Sequence, residues 1–265
     1  GPAPKKSRSD QGGDALPKEI FAPKKKLGWI PADTRLTARP ATLAAWDSIP
    51  AEEKAFQVRL MEVFAGFTEH ADTQAGRLID ELERLGLRDN TLIFYVWGDN
   101  GSSAEGQLGT ISELLAQNGI RSEIKDHLRA LEDLGGLDAL GSNKTDNMYH
   151  AGWAWAGSTP FQGTKLNASH FGGTRTPLAV SWPKSIKADK TVRAQFHHVN
   201  DVVPTIYDVL GIQAPQEVDG VTQQPLDGIS MAYTFGNAAA AGRKGPQYFE
   251  VMGDRGIYAD GWFAS

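Results

Sequence analysis

One pattern limits the fold of this chain more than any other: apolar residues recur at Phe56, Leu60, Val63, Phe64, Phe67, Ala71, Leu78, Ile79, Leu82 and Leu85. Steps of three and four dominate, and they draw a single stripe along one long helix. Asp47-Ser48-Ile49-Pro50 supplies cap residues and an early-turn proline, Glu52 and Glu53 suit the positive end of a helix dipole, and Gly86 is a natural stop. After the turn Leu87-Arg88-Asp89-Asn90, residues Thr91 to Trp97 form an apolar, β-branched run, which predicts a strand buried on both faces. A long helix feeding such a strand is an α/β pattern. In open sheets of that class, chemistry gathers at the carboxyl ends of strands, and this strand ends in Gly98-Asp99-Asn100-Gly101.

The remaining segments fit around that unit. Residues 1–46 hold several Pro and Gly and basic runs such as Lys24-Lys25-Lys26, which reads as an irregular connecting segment with room for one short helix. Residues 102–150 are polar and Gly-rich, with one helical stretch near Lys125 to Leu134, and read as an excursion beside the site, a candidate lid. Leu178 to Trp182 predicts a second short buried strand, stopped by Pro183. A helix follows, starting near Asn200-Asp201 and ending at Gly211, so residues 47–211 form the α/β core part. Residues 212–265 are a loop-like C-terminal extension, with Tyr248–Val251 and Gly256–Ala259 as a strand pair around a Gly-Asp-Arg turn.

Two places could carry chemistry. Asp99 and Asn100 are adjacent oxygen donors flanked by glycines, the kind of donor a hard cation takes. Asp-Asn-Gly is also ordinary turn chemistry, and on the tetrapeptide alone the turn reading prevails. Lys165 and His170 precede the Gly-rich turn Gly172-Gly173, which leads into the second strand. Such a lysine can set a point charge on an anionic oxygen, and such a histidine can donate a hydrogen bond or a proton. Spacing alone favours a surface lysine and a turn-capping histidine. His197-His198 near Asp201 reads as structural, because neighbouring residues point apart. His70 lies on the polar side of the long helix and is assigned no role. Trp153 and Trp155 suit either a pocket wall or core packing.

The bulk numbers exclude several classes. The net charge of -5 and the short basic clusters argue against nucleic acid as a main partner. With no cysteine there is no disulfide, thiolate metal site or cysteine nucleophile in these residues, and the compartment stays open. No apolar stretch approaches the roughly 18 residues that span a bilayer. The Gly1 start and the Ala264-Ser265 end after an aromatic segment are read as cut ends, so a fragment is expected.

Taken in order, Leu27–Thr34, Met61–Gly66, Asp89–Tyr95, Gly98–Gly101, Ser169–Arg175 and Gln195–His198 resemble the C-terminal part of bacterial arylsulfatases, members of the alkaline-phosphatase-like superfamily. The resemblance implies a mixed sheet flanked by helices, present here as the C-terminal part of a catalytic domain. It implies a Ca2+ ion bound by side-chain oxygens of Asp99 and Asn100, which reverses the turn reading, and a small-molecule sulfate ester contacted by Lys165 as a catalytic and substrate-binding residue; His170 is added as a substrate-binding candidate from its place before the Gly-rich turn. The family's remaining site residues precede this region: two aspartates, a lysine, two histidines, and a Cys-x-Pro-x-Arg motif whose Cys, or Ser in some members, becomes the formylglycine nucleophile. Export to a periplasm is compatible with the resemblance. A phosphonate monoester or phosphodiester hydrolase of the same superfamily makes similar metal and oxyanion demands, and a non-catalytic binding chain is the reading outside enzymes.

Overall fold

A computed structural model describes residues 12–265. In chain order the elements are α1 (Leu16–Lys26), α2 (Ala51–Arg84), β1 (Ile93–Val96), α3 (Glu113–Gln117), α4 (Ile124–Leu134), α5 (Ala151–Gly157), α6 (Phe171–Thr174), β2 (Leu178–Ser181), α7 (Val202–Leu210), the small ladder of β3 (Glu217–Val218) and β4 (Val221–Thr222), and finally β5 (Gln247–Val251), β6 (Asp254–Ala259) and β7 (Trp262–Ala264).

The stripe does form one helix of 34 residues, closed just past its end by Gly86 in the left-handed region at φ +70°. Its start differs from expectation. Pro50 stands at the N-cap, and the Ser48 hydroxyl donates back to Ala45 O at 2.7 Å instead of capping. A ring-locked φ takes over the entry to the helix.

Only the first turns of the stripe are core. Phe56 and Leu60 are fully buried and pack with Ile124, Leu131, Ala139 and Leu140, whereas Phe67 and Leu78 are 67% and 71% exposed. The partner wall is α4, whose inward residues Ile124, His127 and Leu131 follow helical spacing. Glu123 and Asp126 form a reciprocal capping box at its start, and Gly135 ends it at φ +113°. The 102–150 excursion therefore supplies four of the six buried residues of the main core, which does not fit a lid.

β1 and β2 pair antiparallel, with Ile93 opposite Ser181 and Val96 opposite Leu178. This corrects the expectation of strands buried on both faces: Val96 is 45% and Leu178 40% exposed. It also corrects the mixed sheet, since among the described residues all the named strand pairs are antiparallel, in three separate sheets. The physical reason is direct. An apolar run is buried only where neighbouring strands and covering layers exist, and β1 has one partner strand. On the helix side, Tyr95 Oη donates to Asp72 Oδ1 of α2 at 2.9 Å.

At the C-terminal end β5, β6 and β7 form an antiparallel meander. The hairpin turns at Met252-Gly253, both at positive φ, and not at Gly253-Asp254-Arg255 as expected. That shift places Asp254 as the first residue of β6, opposite Val251. Among the described residues no helix is long and apolar enough to cross a membrane.

Candidate functional site

Two loops meet where β1 ends and β2 begins. Trp97 N donates to Pro177 O at 3.2 Å, which keeps the strand ends together, and the chain then turns through Gly98 at φ +83°. Gly101 N donates to Gly173 O at 2.9 Å, and a Cβ at Gly101 would lie 1.7 Å from Gly172 O, so only glycine permits this approach. On the other side, a Cβ at Gly172 would meet Gly163 O at 2.1 Å, and one at Gly173 would meet Asn167 O at 2.1 Å. The Gly-rich turn is thus folded tightly under the 162–170 segment, which carries the candidate lysine and histidine.

Both pairs of predicted site residues flank this junction. Asp99 is exposed at the loop tip, and Asn100 Nδ2 donates to Asp99 Oδ1 at 2.7 Å, leaving the other Asp99 oxygen and the Asn100 carbonyl oxygen outside that bond. Lys165 N donates to Ser102 O at 2.9 Å, tying the lysine's backbone to the first loop. Leu166, next to it, stands at φ +75°, a conformation that costs a bulky residue energy and that gathers at working sites. His170 precedes α6, and its ring has no hydrogen-bond partner among the described residues.

The sequence did not reveal how Lys165 is paired. Its Nζ lies 2.6 Å from Glu105 Oε2, an oxygen that also accepts from Ser103 Oγ at 2.8 Å. The hydrogen bond from Lys165, and then that from Ser103, hold the Glu105 carboxyl below its ordinary range. The only signal was indirect: a lysine set beside a loop calls for a carboxylate, and Glu105 follows Asn100 by five residues. A second unforeseen contact fixes the neighbouring turn. Ser169 donates to Asp254 Oδ2 through both its backbone N (3.1 Å) and Oγ (2.9 Å), bonds that lower the Asp254 pKa, so the C-terminal meander braces the residue before His170.

The other candidates are structural. His197 Nδ1 donates to Asp201 Oδ2 at 2.8 Å, and its Nε2 meets Tyr233 Oη at 3.1 Å, which agrees with the structural reading. Trp153 and Trp155 are buried in the core, and Trp153 Nε1 donates to Gln57 O at 3.2 Å. Among the described residues no group of three or more His, Cys, Asp or Glu could hold a metal ion. Asp99 and Asn100 are hard oxygen donors of the type calcium takes, but they are two of the six to eight it needs, so they fit as part of a larger ligand set.

The sulfatase family model matches residues 9–212, a span that contains Asp99, Asn100, Glu105, Lys165 and His170. An uncharacterized sulfatase of Schizosaccharomyces pombe is 30% identical over 79% of this chain and 36% of its own length. The arylsulfatase of Klebsiella aerogenes is 24% identical over 86% of this chain and 46% of its own length. The chain thus spans less than half the length of either relative.

Proposed function

The chain belongs to the sulfatase family, and from that premise we propose that it forms the C-terminal part of an arylsulfatase, hydrolysing sulfate esters to an alcohol or phenol plus sulfate. Family membership carries the alkaline-phosphatase-like α/β fold; the arylsulfatase reading rests on the resemblance and on the 24% identity to the Klebsiella aerogenes arylsulfatase, and the site is compatible with it. One observation supports it above all: the close approach at Gly101 and Gly172-Gly173 sets the Asp99-Asn100 loop beside the Lys165–His170 segment.

In this reading Asp99 and Asn100 contribute oxygens to a calcium ion held jointly with residues N-terminal to this chain. The bound ion would neutralise charge on sulfate oxygens. Lys165 adds a second positive charge, with the two ammonium hydrogens not taken by Glu105 available to the ester oxygens. His170 supplies a hydrogen-bond donor to the ester, and its unpartnered ring supports that role. The nucleophile, a formylglycine by the family resemblance, lies outside this chain, which has no Cys and no Ser in a Ser-x-Pro-x-Arg setting.

The test is an assay of the full-length protein on an aryl sulfate, a phosphonate monoester and a phosphodiester with one shared leaving group. Calcium-dependent turnover of the sulfate, faster than of the other two, is expected. Preference for the phosphonate or the diester would assign it to that other hydrolase class. The isolated 265-residue chain should show no turnover above buffer, because it lacks the attacking group. Calorimetry on the full-length Asp99→Ala variant should show most calcium affinity lost; unchanged affinity would remove Asp99 from the site.

A further inference from the structure

The Lys165 ammonium reaches the junction of the two loops already carrying an anion. Glu105 Oε2 sits 2.6 Å from Nζ, and both partners are pinned to the same stretch of chain: Lys165 through its N to Ser102 O at 2.9 Å, Glu105 through Ser103 Oγ, which donates to its carboxylate at 2.8 Å and accepts from its backbone N at 3.3 Å. The pair is not sealed away. Lys165 is 31% and Glu105 42% exposed at the side chain, so a ligand can reach the ammonium without breaking the core. Any anion that binds Lys165 therefore also meets a fixed negative charge one hydrogen bond behind it.

We propose that Glu105 is a specificity-determining residue: by neutralising part of the Lys165 charge, it tunes the site to esters carrying a single negative charge and against those carrying two. The proposal rests on the reading of Lys165 as the cation that contacts the ester. A sulfate monoester has one negative charge at neutral pH, whereas a phosphate monoester carries about 1.5 to 2. The attraction of both to Lys165 is offset by repulsion from Glu105, and the repulsion grows with the charge of the ligand. The carboxylate thus weakens binding of the dianion more than that of the monoanion. Sulfate esters, phosphonate monoesters and phosphodiesters are all monoanions, so Glu105 does not sort among these three; it disfavours phosphate monoesters.

The experiment compares the full-length enzyme with its Glu105→Gln and Glu105→Asp variants, on an aryl sulfate and an aryl phosphate sharing one leaving group, at low and high salt. Inhibition of sulfate turnover by the aryl phosphate supplies the second constant where its own turnover is too slow to follow. Glu105→Gln should shift discrimination about tenfold toward the phosphate, mostly through KM or the inhibition constant. That shift should shrink as salt screens the half-exposed charges, and Glu105→Asp should keep discrimination close to that of the parent. Unchanged discrimination in Glu105→Gln would overturn the proposal, and so would an equal loss on both esters, which would make Glu105 only an orienting partner of Lys165. A parallel Lys165→Ala variant separates the two layers. Unchanged kinetics there would sink the reading of Lys165 itself, while a large loss there with unaltered discrimination in Glu105→Gln would sink the Glu105 proposal alone.

Discussion

The chain uses a carboxylate, an ammonium and an imidazole twice. Near the β1–β2 junction they are Glu105, Lys165 and His170; at the start of α7 they are Asp201, Lys244 and His197. In the second cluster Asp201 is completely buried and the Lys244 side chain is 4% exposed. Asp201 accepts from Lys244 Nζ at 2.7 Å, His197 Nδ1 at 2.8 Å, and the backbone N of His198 (3.0 Å) and Ile229 (2.9 Å). Burial alone would raise its pKa, yet the hydrogen bonds from His197 and Lys244, with those two backbone donors, outweigh it and hold the carboxyl far below its ordinary range. Each strong donor there is consumed internally, joining α7 to the 229–244 segment. At the loop junction the same groups stay half-exposed, and among the described residues Lys165 keeps two unused hydrogens and the His170 ring has no hydrogen-bond partner. The difference in satisfaction, and not in composition, separates a clamp from a candidate site.

The largest effect that would test this contrast falls on the buried cluster. Asp201→Asn leaves the Lys244 ammonium buried without its counter-charge and should cost about 3–5 kcal/mol of stability in urea unfolding, with turnover per folded molecule unchanged in the full-length enzyme. A small loss would mean that the cluster is solvated and no clamp. Next comes Gly101→Ala. The added methyl would meet Gly172 O, a backbone atom that cannot swing aside. The two loops must then part, at about 1–3 kcal/mol, and activity should fall together with calcium affinity. Full activity in this variant would mean that the close approach is not needed. The smallest effect concerns acid. The Glu105 and Asp201 carboxyls are both held below their ordinary values, so each contributes stability that is fully present above those values and is lost as the pH falls through the lowered ones. Carboxyl-carbon NMR should show Asp201 keeping its charge to lower pH than Glu105; the reverse order would contradict the contrast in hydrogen-bond satisfaction.

How far the sequence revealed these regions follows from how local their causes are. The long helix, its stop at Gly86, α4, β2 and α7 were legible because periodicity and glycine conformation act over a few residues. Burial of the stripe beyond Val63 and of β1 was not, since it depends on what covers them, and Phe67 and Leu78 carry the same apolar signal as Phe56 and Leu60. The cap of α2 was misread because Asp47 and Ser48 belong to a separate 3-10 turn, Trp46–Ser48, and the helix begins only at Ala51, after Pro50. In the site, Asp99, Asn100, Lys165 and His170 stood out through their glycine-flanked settings, but the Lys165–Glu105 pair spans 60 residues and the Ser169–Asp254 bracing 85. No local pattern encodes pairings of that range.

The central claim is that Lys165 contacts the ester at the junction of the two loops. Its most direct test is kcat/KM of the full-length Lys165→Ala variant on an aryl sulfate, measured beside its urea unfolding midpoint. Loss of one preorganised cation predicts a fall of about a hundredfold or more, with the midpoint hardly moved because Lys165 is partly exposed and its pairing with Glu105 adds little stability. Unchanged kinetics in a folded variant would contradict the account and leave Lys165 a surface residue paired to Glu105.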